Sequence, residues 1–349
     1  MMLGATGAIS AKAKAMYGQR IRVAQYEELV RKKSVSEIAQ VLKNETAYGD
    51  TLKDIREASI HRGQLEHLLK QNLYERLDKL VRYVDRKSKA YFLAALKEVE
   101  IEQIMMRIRL ILSQDFTYAI SDVPLSLRHY SKLNIEKLMT AQNFAELLDG
   151  LRGSPYEAIL KPIVKMNPQS FPYTECESAM QRFYTEYVMN AINETFKGKT
   201  AATLKQMWAT RVELDNITKI YRYKKFFHGD EQEIRSSLIE CEGCIPRTKL
   251  NEMLAAQSAE HFLKLLAESP YHLHVDDREY VYIEYYADQI KYHLAKRHMH
   301  YDSAAAIVYS AYQLLGEREI ENLINIVEGV RYRVAPEEMM TMLIYDKEE

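Results

Sequence analysis

From Thr51 to Val84 apolar side chains return every third or fourth residue, at Leu65, Leu68, Leu69, Leu73, Leu77, Leu80, Val81 and Val84. That is the spacing of one face of a long amphipathic helix. The same period predicts helices over residues 10 to 33, about 89 to 112, 174 to 196, 200 to 227, 276 to 300 and 303 to 330. Shorter ones are expected after the capping box Ser34-Val-Ser-Glu37, over 134 to 140, after Asn143-Phe-Ala-Glu146, over 248 to 256 and 258 to 267, and from Pro336. Gly153 and Ser154-Pro155 are expected to stop a helix, and Pro162, Pro168 and Pro172 to mark a loop. No stretch alternates with a period of two, so the expected class is all-α.

The pattern repeats. Leu138-Met-Thr-Ala-Gln-Asn-Phe-Ala-Glu-Leu-Leu-Asp-Gly-Leu-Arg-Gly-Ser-Pro-Tyr156 returns without a gap at Met253 to Tyr271, an offset of 115 residues. A fainter copy ends at Tyr48, 108 residues before Tyr156. A second motif reads Val99-Glu-Ile-Glu-Gln-Ile104, Val212-Glu-Leu-Asp-Asn-Ile217 and Arg318-Glu-Ile-Glu-Asn-Leu323. Periods above 100 residues are too long for a solenoid and define homologous modules of domain size. The expected division is 1–120, 121–235 and 236–349.

Composition narrows what such a chain does. Hydrophobic residues are 47% and charged residues 28%, with only 12 Gly and 8 Pro, as in a globular helical protein. A formal net charge of −1 supplies no overall field for nucleic acid, although local patches remain open. Three cysteines in 349 residues suit a reducing cytoplasm. No run approaches the roughly 20 apolar residues of a transmembrane helix, and the apolar start lacks the basic region of a signal peptide.

The paired acids Glu100 and Glu102, Glu213 and Asp215, and Glu319 and Glu321 invite a catalytic reading. Residues two apart on a helix point about 200° apart, however, so the two carboxylates of a pair cannot face one substrate. An acid–base pair is needed once, and this one occurs three times. Hydrogen bonding within the helices by one member, with water or a partner for the other, is the expected role. Cys241-Glu-Gly-Cys244 has half the spacing of a zinc site but no second half, so neither a metal nor a cofactor is expected. Glycine-rich phosphate loops and nucleophile elbows are also missing. Most of the tyrosines, including the cluster Tyr280, Tyr282, Tyr285, Tyr286 and Tyr292, are expected in the core.

Lys14-Ala-Met-Tyr-Gly-Gln-Arg-Ile-Arg-Val23, the Ser34 to Tyr48 segment, the two Ser-Pro-Tyr repeats and Arg318-Glu-Ile-Glu-Asn-Leu-Ile-Asn-Ile-Val-Glu-Gly329 followed by Ala335-Pro-Glu-Glu338 together resemble the family of C subunits of the bacterial and archaeal V-type (A-type) ATPase. Its eukaryotic counterpart is the d subunit of the V-ATPase. The resemblance covers essentially the whole chain. It implies a funnel of three helical modules with pseudo-threefold symmetry, on the cytoplasmic face of the membrane. It also implies a non-catalytic rotor part between the D and F subunits of the shaft and the membrane proteolipid ring. A free-standing all-helical scaffold or adaptor is the alternative from the residues alone.

Overall fold

A glycine and a distant carboxylate divide the helix expected over 10 to 33. In the computed structural model, which describes residues 2–57, 60–116, 129–165, 171–227, 230–275 and 282–347, α1 spans Met2–Tyr17 and α2 spans Val23–Leu29. Between them the amides of Gly18, Gln19 and Arg20 turn back onto Lys14, Met16 and Tyr17. The next amide, Ile21, leaves the helix altogether and donates to Glu319 Oε2 at 2.8 Å.

The remaining elements follow the periodicity with local changes. Ser34 Oγ accepts from the Glu37 amide and Glu37 Oε2 from that of Lys33, a reciprocal cap that opens α3 (Val35–Glu45). The helix expected from Thr51 is two, α4 (Gly49–Leu52) and α5 (Arg62–Val81), and between them Ile55 and Ile60 pack on the core from outside any helix. α6 (Lys89–Phe92) and α7 (Ala94–Ser113) then take the place of one helix. α8 (Ile135–Thr140) and α9 (Phe144–Gly150) are each capped by an asparagine, Asn134 and Asn143.

Ser154-Pro155 does more than stop α9. Proline lacks the amide that a first helical position leaves unused, so Pro155 opens α10 (Pro155–Val164), which also contains Pro162. The loop expected at Pro162 is therefore helix. Pro168 lies outside the described residues, and Pro172 precedes α11 (Tyr173–Thr195).

α12 (Gly198–Arg222) runs into a widened π turn, Tyr223–Phe227, and α13 (Glu231–Ser237) follows. α14 (Arg247–Ala255) precedes α15 (Ala259–Ala267), whose cap is Ser258. The last long pair is α16 (Ile283–Tyr301) and α17 (Ala305–Tyr332), before α18 (Pro336–Met342). The expected start of α16 near Asp276 lies outside the described residues. All of these elements are helices, and no strand occurs among the described residues.

Packing links helices that are far apart along the chain. One apolar core joins Ile104 and Ile108 of α7 to Leu138, Leu147, Tyr156 and Leu160 of α8 to α10. A second joins Leu214 and Ile217 of α12 to Met253, Phe262 and Leu266 of α14 and α15. The largest includes Leu323 and Ile326 of α17 together with Leu29, Ile38 and Leu42 near the start of the chain. Each late long helix thus packs on the short helices that come next, and α17 packs on those that open the chain.

Candidate functional site

The two repeated motifs meet each other. Tyr156 Oη donates to Glu100 Oε2 at 2.6 Å, Tyr271 Oη to Glu213 Oε2 at 2.6 Å, and Tyr48 Oη to Glu319 Oε1 at 2.8 Å. Each glutamate also holds the segment leading into the short helices of its partner. Glu100 accepts from Ser131 Oγ, Glu213 from the amides of Cys244 and Ile245, and Glu319 from the amide of Ile21. A charged acceptor makes such bonds shorter and stronger than neutral ones. Burial raises the affinity of the Tyr156 and Tyr271 hydroxyls for their protons, and the neighbouring Glu100 and Glu213 carboxylates raise it further. The phenols therefore stay donors.

Three residues along, the motif makes a second tie. Asn216 Nδ2 donates to the Ile239 carbonyl at 2.7 Å and its Oδ1 accepts the Ile239 amide at 3.0 Å. Asn322 repeats both bonds with Ile344 at 2.7 and 3.0 Å. One carboxamide thereby satisfies both the amide and the carbonyl of one buried residue, which would be costly to leave unpaired. Gln103 stands at the corresponding position of α7.

Two residues before each glutamate lie three side chains that the sequence motif did not single out: Glu98, Arg211 and Glu317. Arg211 joins the three helices, its Nη2 lying 2.7 Å from Glu98 Oε1 and its Nη1 3.5 Å from Glu317 Oε2. Tyr184 Oη adds a bond to Glu98, and Trp208 places its ring 5.4 Å from the guanidinium. Burial works against the Arg211 charge, but Glu317 and Glu98 outweigh it and hold the proton well above the usual range. Burial raises the Glu317 carboxyl, and Arg211 opposes that shift.

One turn further along the same faces stand Glu102, Asp215 and Glu321, since residues four apart share a helix face. Glu102 and Glu321 are exposed and Asp215 is half-buried. Asp215 pairs with Lys291 at 2.5 Å and Glu321 with Arg318 at 2.6 Å. The pairs of acids thus separate: the first members enter the joints, Glu100 and Glu213 buried and Glu319 half-buried, while the second members face outward beyond the Arg211 bridge.

From this bridge α7 and α17 run about 22 Å to their C-terminal ends, and α12 about 16 Å before its π turn, at 1.5 Å per residue. There Leu112, Phe226, Phe227 and Tyr332 are exposed. Cys244 is exposed and Cys241 half-buried, its thiol pushed up to about 11 by burial and then by Glu213, and no group of three metal-binding side chains occurs among the described residues. A cavity of about 40 Å³ lined by Tyr17, Tyr48, Arg76, Tyr292, Tyr312 and Glu319 lies at the joint between the start and end of the chain. It has room for a water or two.

Long helices tied by one carboxylate motif, with exposed apolar side chains kept for their ends, define an all-helical protein that uses its repeated acids to hold itself together. The family model described as the ATP synthase (C/AC39) subunit matches residues 9–342, and the chain belongs to that family. It is thus a component of a V/A-type ATP synthase. No curated protein matches the chain at a significant level. Among the described residues no helix is long and apolar enough to cross a membrane.

Proposed function

We propose that the chain is a non-catalytic central-stalk component of the rotor, coupling the D and F subunits of the shaft to the membrane proteolipid ring on its cytoplasmic face. The observation that carries this reading is where the exposed large apolar residues fall. Leu112, Phe226, Phe227 and Tyr332 mark the C-terminal ends of α7, α12 and α17, while Tyr83 and Tyr301 stand by the turns at the opposite end. Large apolar side chains held in water at both ends of the long helices support contacts at two ends, as a coupler needs.

In this reading the modules 1–120, 121–235 and 236–349 surround a common centre closed by Arg211. Glu102, Asp215 and Glu321 stand on the wall above it, facing the shaft. Close-packed helices resist compression and carry torque, and the joints at Glu100, Glu213 and Glu319 keep the modules from sliding. The test is gel filtration of the purified chain with the D–F heterodimer at low salt. Co-elution is expected, and separate elution would refute the proposal. F226A/F227A should weaken the complex without lowering the melting temperature.

A further inference from the structure

The formal net charge of −1 hides a basic end. The turns that follow α5, α11 and α16 lie together. Phe196 meets Tyr91 edge-on at 5.0 Å, Tyr91 Oη is 2.5 Å from Ser310 Oγ, and Tyr309 Oη donates to the Phe92 carbonyl at 2.7 Å. Lys12 and Lys14 of α1 reach the same place, at Tyr83 Oη and the Asp302 carbonyl.

Around these turns Arg86, Lys87, Lys197, Lys199 and Arg297 are exposed, and among the described residues none of them forms a salt bridge. The acids beside them are Asp85, Glu194 and Asp302. Asp85 is tied to the Lys87 and Ser88 amides of its own turn, and Asp302 to His298 Nδ1 at 2.7 Å. Tyr83 and Tyr301, among these charges, are 45% and 87% exposed.

We infer that this end docks on a surface of anionic lipid headgroups. Long basic side chains free of ion pairs, beside tyrosines with an apolar ring and a polar tip, are what an interfacial contact requires. The cations come from three separate turns. A fixed acidic epitope would have to match all of them at once, whereas mobile headgroups gather under each. This is the end that the proposed function turns toward the membrane ring, and the inference deepens that reading by placing lipid headgroups under the cations around the ring contact; the vesicle test uses the isolated chain, so its failure would leave the ring contact standing.

The test is sedimentation of the full-length protein with vesicles of phosphatidylcholine alone or containing phosphatidylglycerol. Binding is expected to the anionic vesicles only, falling as salt rises from 50 to about 300 mM, where the Debye length shortens below 10 Å. Each basic residue removed should cost about fivefold in partitioning, so R86A/K87A/K197A/K199A should lose a few hundredfold with its melting curve unchanged. K165A/R247A, on other parts of the surface, should bind as the parent does. Failure to bind anionic vesicles, equal binding to neutral ones, or an unchanged quadruple variant would overturn the inference. So would retention of a short RNA at the same salt by a protein that ignores vesicles.

Discussion

Replacing Arg211 by methionine keeps most of the side-chain volume and removes the charge that lies between Glu98 and Glu317. Breaking a fully buried pair costs about 3–5 kcal/mol, because a charge is left without a partner, whereas exposed pairs contribute about 0–1. Arg211, Glu98 and Glu317 are 19%, 27% and 29% exposed, so the site falls between these limits. A loss of about 2 kcal/mol is expected. For a chain of this size that is a fall of about 4 °C in melting temperature, from the 2–4 °C per kcal/mol typical of domains of 150–250 residues.

The pH dependence supplies the sharper test. Glu317 is raised above its unfolded value by burial, so its ionised form costs stability above the folded pKa, and that cost disappears as pH falls through it. Without Arg211 the cost grows. The gap between R211M and the parent should therefore narrow from pH 7.5 to pH 5, and R211M/E98Q/E317Q should recover most of the loss at pH 7.5. Differential scanning calorimetry gives the answer. A gap under 1 °C at pH 7.5, or one that widens on acidification, would show that Arg211 does not hold the centre together.

Y156F and Y271F each remove a hydrogen bond to a carboxylate and should lose about 1.5–3 kcal/mol by urea denaturation, against nearly nothing for Y282F, whose side chain is 63% exposed. G243A should be destabilising by more than about 1 kcal/mol, the cost of forced overpacking, since a Cβ there would lie 2.2 Å from the Glu213 carboxylate; G63A, with nothing within 4 Å, serves as its control. Alkylation at pH 7.5 followed by peptide mass spectrometry should label exposed Cys244 well before Cys241 and Cys176, whose thiols burial pushes up to about 11 and about 12.

Apolar spacing marks where the helices run but not where they break, and the caps are legible because Ser34, Asn143 and Ser258 act within three residues of themselves. The sequence also showed both repeated motifs. What it could not show is that they bind each other far along the chain, since Tyr156 lies 56 residues from Glu100 and Tyr48 lies 271 from Glu319. The break at Gly18 was hidden for the same reason, because the acceptor that draws off the Ile21 amide comes from the other end of the chain. No repeat marks Arg211, because the equivalent positions carry glutamate and complementarity replaces repetition there. The basic end was scattered over three distant turns and cancelled in the net charge. The alternation within each acid pair was legible from helical geometry, but which member turned inward was not.

The coupling role is tested most directly by photo-cross-linking in the assembled complex, with a benzophenone amino acid at position 227 in one preparation and at position 301 in another. Position 227 is expected to capture a shaft component and position 301 the proteolipid ring. Capture of the same partner from both positions, or of neither, would contradict it.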